Sequence, residues 1–259
     1  LSRTPLSPSN PRVQTLRRLI GRRSFRYEEG TFVIEGPTLV EEAVLAGLDI
    51  REQYVREDYD DFEAPINTHE LDAKTFNSVA DTESPRGILA VCAMPDAGSL
   101  SFEASDWLLV LHEVSDPGNL GTLVRSAEAA GATGVVLVGN SVDPWSPKTV
   151  RASAGAIFHV PIWQVDSLQT LSALGVRLLG TTSHDSLGVS HPESIYEADL
   201  SGLIGVVLGN EAHGLPADAA VDSWITIEHA GRSESLNVAM AGTVVAMHVA
   251  RTRQKDAQG

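Results

Sequence analysis

Three short stretches carry the residue types that handle ligands and protons. The first is Asp116-Pro117-Gly118-Asn119-Leu120-Gly121, followed by Arg125-Ser126-Ala127 and closed by Gly131. It lies between an apolar strand and a helix whose inner face is Leu120, Leu123, Val124, Ala127 and Ala130, so Arg125 points away from the core. A helix that starts after a parallel strand lies at the carboxyl edge of the sheet, where open α/β folds bind ligands. The second stretch, Val207 to Leu215, runs an apolar strand into the polar loop Gly209-Asn210-Glu211-Ala212-His213-Gly214. Its glycines let a backbone approach a ligand closely. The third, Glu234-Ser235-Leu236-Asn237-Val238-Ala239, opens a helix that Ser233 or Ser235 would cap. Each stretch taken alone reads equally as a turn or a cap. The Lys and Ser/Thr of a Walker loop are absent, and so is the glycine fingerprint of a dinucleotide site.

These loops need rigid elements to hold them. Trp107 to His112, Gly134 to Gly139, Val176 to Thr181, Ile204 to Gly209 and Trp224 to Ile227 read as apolar strands, with helical patterns between most of them. Such alternation predicts a parallel sheet covered on both faces. Before Pro95 the pattern differs: strands at Thr31 to Glu35, near Gln53 to Arg56 and at Gly87 to Met94, with helices after Pro37 and near Ala73 to Ala80. The reading is a flexible tail at 1–11, a small α/β domain at 12–96, a linker at 97–105, a second α/β domain at 106–254 and a tail at 255–259. From Ser235 to Ala250 the last helix has no charged residue, as expected of a helix buried in a core or a subunit interface.

A net charge of −15 argues against a nucleic-acid partner until its distribution is considered. Residues 1–27 hold seven arginines and no acid, while the remaining 232 hold 12 basic and 34 acidic side chains, a balance of −22. Arg17, Arg18, Arg22 and Arg23 decorate a helix built on Val13, Leu16, Leu19 and Ile20, and with Arg26 they form a basic edge suited to RNA phosphates. Cys92 is the one cysteine, which excludes an internal disulfide and fits a reducing cytoplasm. One cysteine is too few for a structural zinc site, and none of the eight histidines has metal-ligand spacing, so no metal is expected. No apolar run is long enough to span a bilayer.

Order and spacing add what single motifs do not. From about Trp107 to Arg253 the chain resembles the SpoU family of RNA ribose methyltransferases, whose three motifs appear in order: DPGNLGTLVRSAEAAG, VVLGNEAHGL and ITIEHAGRSESLNVAMAG. The first domain is similar to that family's substrate-binding module, itself like ribosomal RNA-binding proteins, through Phe32 to Pro37 and Glu83 to Gly87. One departure is Ile227-Glu228-His229, where the family often has Ile-Pro-Met.

The resemblance implies a C-terminal parallel sheet with a SPOUT-type trefoil knot, a homodimer, and S-adenosyl-L-methionine as cofactor. It implies methylation of a ribose 2′-hydroxyl in structured RNA. Ribosomal RNA is the first expectation, transfer RNA the alternative, and a non-catalytic RNA-binding protein a third reading. By the same resemblance Thr181, Thr182, Leu208, Gly209, Gly214, Ile227 and Leu236 are cofactor-pocket residues. Asn119, Arg125, Glu211, Ser235 and Asn237 fall at the catalytic motif positions. Arg125 is either the base that takes the ribose proton or a phosphate clamp. A guanidinium that stays protonated favours the clamp.

Overall fold

The computed structural model describes residues 4–59, 67–183, 191–228, 230–232 and 235–256. The chain divides into two compact units. The first is 1–96 together with 143–158, and the second is 97–142 together with 159–259.

The first unit begins with α1 (Pro11–Gly21), α2 (Arg23–Glu29), β1 (Thr31–Glu35) and α3 (Pro37–Leu45). It continues with β2 (Ile50–Arg56), β3 (Thr68–Leu71), α4 (Ala73–Val79) and β4 (Ile88–Ala93). Its sheet has the order β1-β4-β2-β3, with β4 antiparallel to both β1 and β2, and β3 parallel to β2. Asn10 caps α1 by accepting from Arg12 N at 2.9 Å, and Pro11 follows at the first helical position. Val13, Leu16 and Leu19, three residues apart, are buried in a core with Phe25, Tyr54 and Phe76. The single arginine-bearing helix expected from sequence is broken at Arg22, which is extended (φ −132°), so Arg23 begins a second helix. Leu6 packs against the same core and donates its N–H to Glu70 O at 2.8 Å, so the polar start is anchored there. Residues 1–3 of the expected tail lie outside the described residues.

Then follow β5 (Trp107–His112), α5 (Pro117–Ala129), β6 (Gly134–Val138), α6 (Pro147–Ser153), β7 (Ile162–Val165) and α7 (Leu168–Ser172). The chain ends with β8 (Arg177–Thr181), β9 (Glu193–Ser194), β10 (Ile204–Leu208), β11 (Ser223–Thr226) and α8 (Val238–Asp256). α6 belongs to the first unit; the other elements build the second around a seven-stranded sheet, β7-β6-β5-β10-β8-β11-β9, in which every pair is parallel. β6 and β10 are buried at every residue, as strands covered on both faces must be. Residues 97–105 lie in the second unit, where Leu100 and Phe102 pack on its core and Trp163 Nε1 donates to Gly98 O at 3.3 Å. No described helix is long and apolar enough to cross a membrane.

Two helices differ from expectation in ways that bear on function. α8 starts at Val238, and its cap is Asn237, whose Oδ1 accepts from Ala239 N at 2.9 Å and Met240 N at 3.3 Å. Ser235 precedes the cap, and Ser233 lies outside the described residues. On α2, Arg26 is 4% exposed. Its Nε donates to Asp143 Oδ2 at 2.8 Å, and its NH1 donates to the Leu19 and Ile20 carbonyls at 2.6 and 3.0 Å. Arg26 is therefore not exposed, as an arginine expected to meet RNA phosphate must be. It is the buried partner of an aspartate that also accepts from Trp145 N at 3.0 Å.

Candidate functional site

The strands β5, β8, β10 and β11 end along one edge of the sheet, where Thr182, Gly209 and Ile227 line one cleft. The loop after β10 explains its two glycines. A Cβ on Gly209 would lie 2.2 Å from Gly214 C and 2.3 Å from Leu215 N. Both are backbone atoms that no rotamer change can move. Gly214 holds φ +65°, in the left-handed region that glycine adopts without steric cost. The ring is closed by Gly214 N donating to Asn210 O at 2.9 Å. Asn210 Oδ1 accepts from Ala212 N and His213 N at 2.9 and 3.2 Å, while its Nδ2 donates to Glu113 O at 2.9 Å, tying the loop to the end of β5.

Glu211 makes the second tie. Its carboxylate accepts from Ser115 N (3.0 Å), Ser115 Oγ (2.9 Å), Asp116 N (2.9 Å) and Asn119 Nδ2 (3.2 Å). Partial burial pushes this carboxyl up, but the N–H groups of Asp116, Ser115 and its own residue, with the Asn119 amide, outweigh burial and hold it at about 2. Asn119 Oδ1 in turn accepts from Asn237 Nδ2 at 3.3 Å. Glu211, Asn119 and Asn237 thus form one hydrogen-bonded chain across the three motif loops. The first helix is fixed independently, because Asp116 Oδ1 accepts from Asn119 N at 2.9 Å and caps α5.

Beside this chain lies a cleft of about 270 Å³. All seven residues expected around a cofactor line it: Thr181, Thr182, Leu208, Gly209, Gly214, Ile227 and Leu236. Of the five catalytic positions, Glu211 and Ser235 line it, and Asn119 and Asn237 are bonded to its wall. Arg125 does not line it. It is exposed on α5 and, among the described residues, makes no hydrogen bond or ion pair. The structure adds Ile195, Thr226, Ala241 and Val245 to the wall. Ala241 and Val245 follow Val238 at helical spacing, a signal present in the sequence. Ile195 follows the two-residue β9 and Thr226 ends the four-residue β11, strands too short for periodicity to expose them.

Of the other expected arginines, Arg17 and Arg18 sit on α1, Arg23 on α2, and Arg22 between the two helices. Arg17 donates to Pro8 O and Ser78 Oγ, both at 2.9 Å. The Arg18 guanidinium lies 3.6 Å above the Phe25 ring, and that of Arg23 lies 5.5 Å from the Tyr27 ring centre. Arg18, Arg22 and Arg23 are exposed.

The chain is similar to known proteins over nearly its whole length. A family model described as the SpoU rRNA Methylase family matches residues 106–247, and one described as an MRM3-like substrate binding domain matches residues 10–90. The chain is 32% identical to the 23S rRNA (guanosine(2553)-2′-O)-methyltransferase RlmP of Bacillus subtilis (strain 168), over 94% of this chain and 97% of that protein. It is 29% identical to the 23S rRNA (uridine(2479)-2′-O)-methyltransferase of Streptomyces viridochromogenes, over 97% of this chain and 94% of that one. Among solved structures, the AdoMet-bound rRNA methyltransferase from Sinorhizobium meliloti matches with a TM-score of 0.82 at 27% identity, covering 97% of this chain and 98% of that one. With the first of these family models spanning more than half of the sequence, the chain belongs to the SpoU rRNA Methylase family.

Proposed function

We propose that this chain methylates a ribose 2′-hydroxyl of ribosomal RNA, using S-adenosylmethionine. The observation that carries the reading is the cleft at the sheet edge, walled by a loop that only glycine at 209 can form and braced by the Glu211–Asn119–Asn237 chain. The cleft fits the cofactor: Ile195, Leu208, Ile225 and Val245 supply an apolar side, and Thr181, Thr182 and Asn210 a polar one. Leu208, Gly209, Gly214, Ile227 and Leu236, with the two threonines, are the residues that hold it. Bound there, S-adenosylmethionine supplies an electrophilic methyl group on a sulfonium.

The chain's own part is orientation and electrostatics. Glu211 is ionised at neutral pH and engaged by four donors, so it braces the loops and takes no proton. Asn119 has both ends of its amide engaged, so it relays that brace to the cap of α8. Arg125 is exposed and, among the described residues, has no partner. It clamps the phosphate beside the target ribose and stabilises negative charge developing on the hydroxyl oxygen. Ser235 lies where a hydroxyl meets the substrate's edge.

Residues 12–96 form the RNA-gripping domain, through Arg17, Arg18, Arg22 and Arg23, and 106–254 the methyltransferase domain, with the knot of its family in its C-terminal part. Met240, Val244 and Met247 on α8, with Leu236 just before it, are exposed and apolar, and a second copy of the chain covers them. The protein works as a homodimer in the cytoplasm. A monomeric mass by light scattering with full turnover refutes the dimer. Transfer of labelled methyl to ribosomal RNA, with the product mapped as a blocked 2′-hydroxyl, tests the activity. Labelling of transfer RNA alone, or of neither RNA, overturns the reading.

A further inference from the structure

One polar side chain on the wall of the cleft has unused hydrogen-bonding capacity. Thr226 ends β11, lines the cleft and is 2% exposed, and its Oγ1 is buried with no hydrogen-bond partner. The neighbouring threonines are engaged. Thr181 Oγ1 donates to Val207 O at 2.9 Å, Thr182 Oγ1 donates to Ser183 O at 3.2 Å, and the Thr226 carbonyl itself accepts from Ile195 N at 2.9 Å. Among the described residues that line the cleft, the Thr226 hydroxyl is the one fully buried side-chain group without a partner. A buried hydroxyl without a partner is unfavourable, and valine would fill the same volume without that penalty. Stability of the fold therefore does not account for a threonine here.

The surroundings say what partner it meets. Ile195, Ile225 and Val245, each 0% exposed, and Leu208 line the same cleft. An apolar wall with one hydroxyl suits a flat heteroaromatic group: the wall takes its face and the hydroxyl fixes its edge. Of the parts of S-adenosylmethionine, the nucleoside has that chemistry and the amino-acid end does not. We propose that Thr226 Oγ1 hydrogen-bonds the adenosine part of the cofactor and is an affinity-determining residue of this site. The inference rests on the cleft being the cofactor site. A hydroxyl serves either a ring nitrogen or an amino group, since it both donates and accepts.

Calorimetry with S-adenosylhomocysteine and with 5′-methylthioadenosine, on the wild type and on Thr226→Val and Thr226→Ser, tests it. Thr226→Val should weaken both ligands about tenfold, the effect of one lost hydrogen bond in a site left unpaired. Thr226→Ser, which keeps the hydroxyl, should stay within about threefold of wild type. Without ligand, the valine variant should melt at the wild-type temperature or above it. Unchanged affinities in the valine variant overturn the proposal. So does a loss confined to S-adenosylhomocysteine, which would put the contact at the amino-acid end, and so does a lower melting temperature without ligand, which would make the hydroxyl structural. If the wild type binds neither ligand, the assignment of the cleft fails, and the Thr226 contact with it.

Discussion

Glu211→Gln separates a brace from a base. The substitution keeps size and shape and removes the charge. In the native loop two carboxylate oxygens accept from Ser115 N, Ser115 Oγ, Asp116 N and Asn119 Nδ2. A glutamine has one acceptor oxygen, and its amide nitrogen would face donors, so about half of this set is lost. Hydrogen bonds to a charged acceptor contribute about 1.5–3 kcal/mol each. The site is partly open to water, which replaces some of the loss, so about 2–3 kcal/mol of local stability should go. Amide hydrogen exchange at Ser115 and Asp116 should accelerate, and the affinity for S-adenosylhomocysteine should fall about 30-fold, the equivalent of about 2 kcal/mol. The pH dependence follows from the depressed pKa. With the native carboxyl at about 2, its stabilising contribution is complete above the unfolded value near 4.5 and disappears as pH falls toward 2. Glu211 should therefore add no titration step to the turnover profile between about pH 5 and 9. Lost turnover with cofactor affinity and amide exchange both at wild-type levels would refute the brace and make Glu211 the proton acceptor.

Other perturbations reach separate parts of the argument. Arg125→Lys should be slow at every pH with weakened RNA binding, measured by single-turnover rates and by affinity; near-normal rates that rise with a new titration step, at unchanged RNA affinity, would support the base instead. Replacing Arg17, Arg18, Arg22 and Arg23 with Ala should leave cofactor affinity intact and reduce the slope of log affinity against log salt by about 3; an unreduced slope would mean that these residues do not meet phosphate. Arg26→Ala strands the buried Asp143 carboxylate and should cost about 3–5 kcal/mol in denaturant unfolding, whereas an RNA-contact role would predict a normal unfolding curve.

The parallel sheet was legible because its central strands are unbroken apolar runs, and β5, β6 and β10 fall where those runs lie. β3 and β9 were not, because Thr68-His69-Glu70-Leu71 and Glu193-Ser194 have neither apolar alternation nor length, and only pairing with β2 and β11 makes them strands. The same boundary between local and distant information runs through the site. That the Gly209–Gly214 loop closes on itself is a local property, and the two glycines announced it. Arg26 follows the buried Phe25 on α2, but its partner Asp143 is 117 residues away. Glu211 belongs to the same case. Its motif position marks an acid in an active-site loop, which by residue type alone is a general base as readily as a brace. What decides between them is the number of N–H groups aimed at the carboxylate. Those groups come from Ser115 and Asp116, almost a hundred residues upstream, on a loop that only the pairing of β10 with β5 brings alongside. A motif therefore names the chemical repertoire of a position, while the protonation state that selects from it is set by tertiary donors.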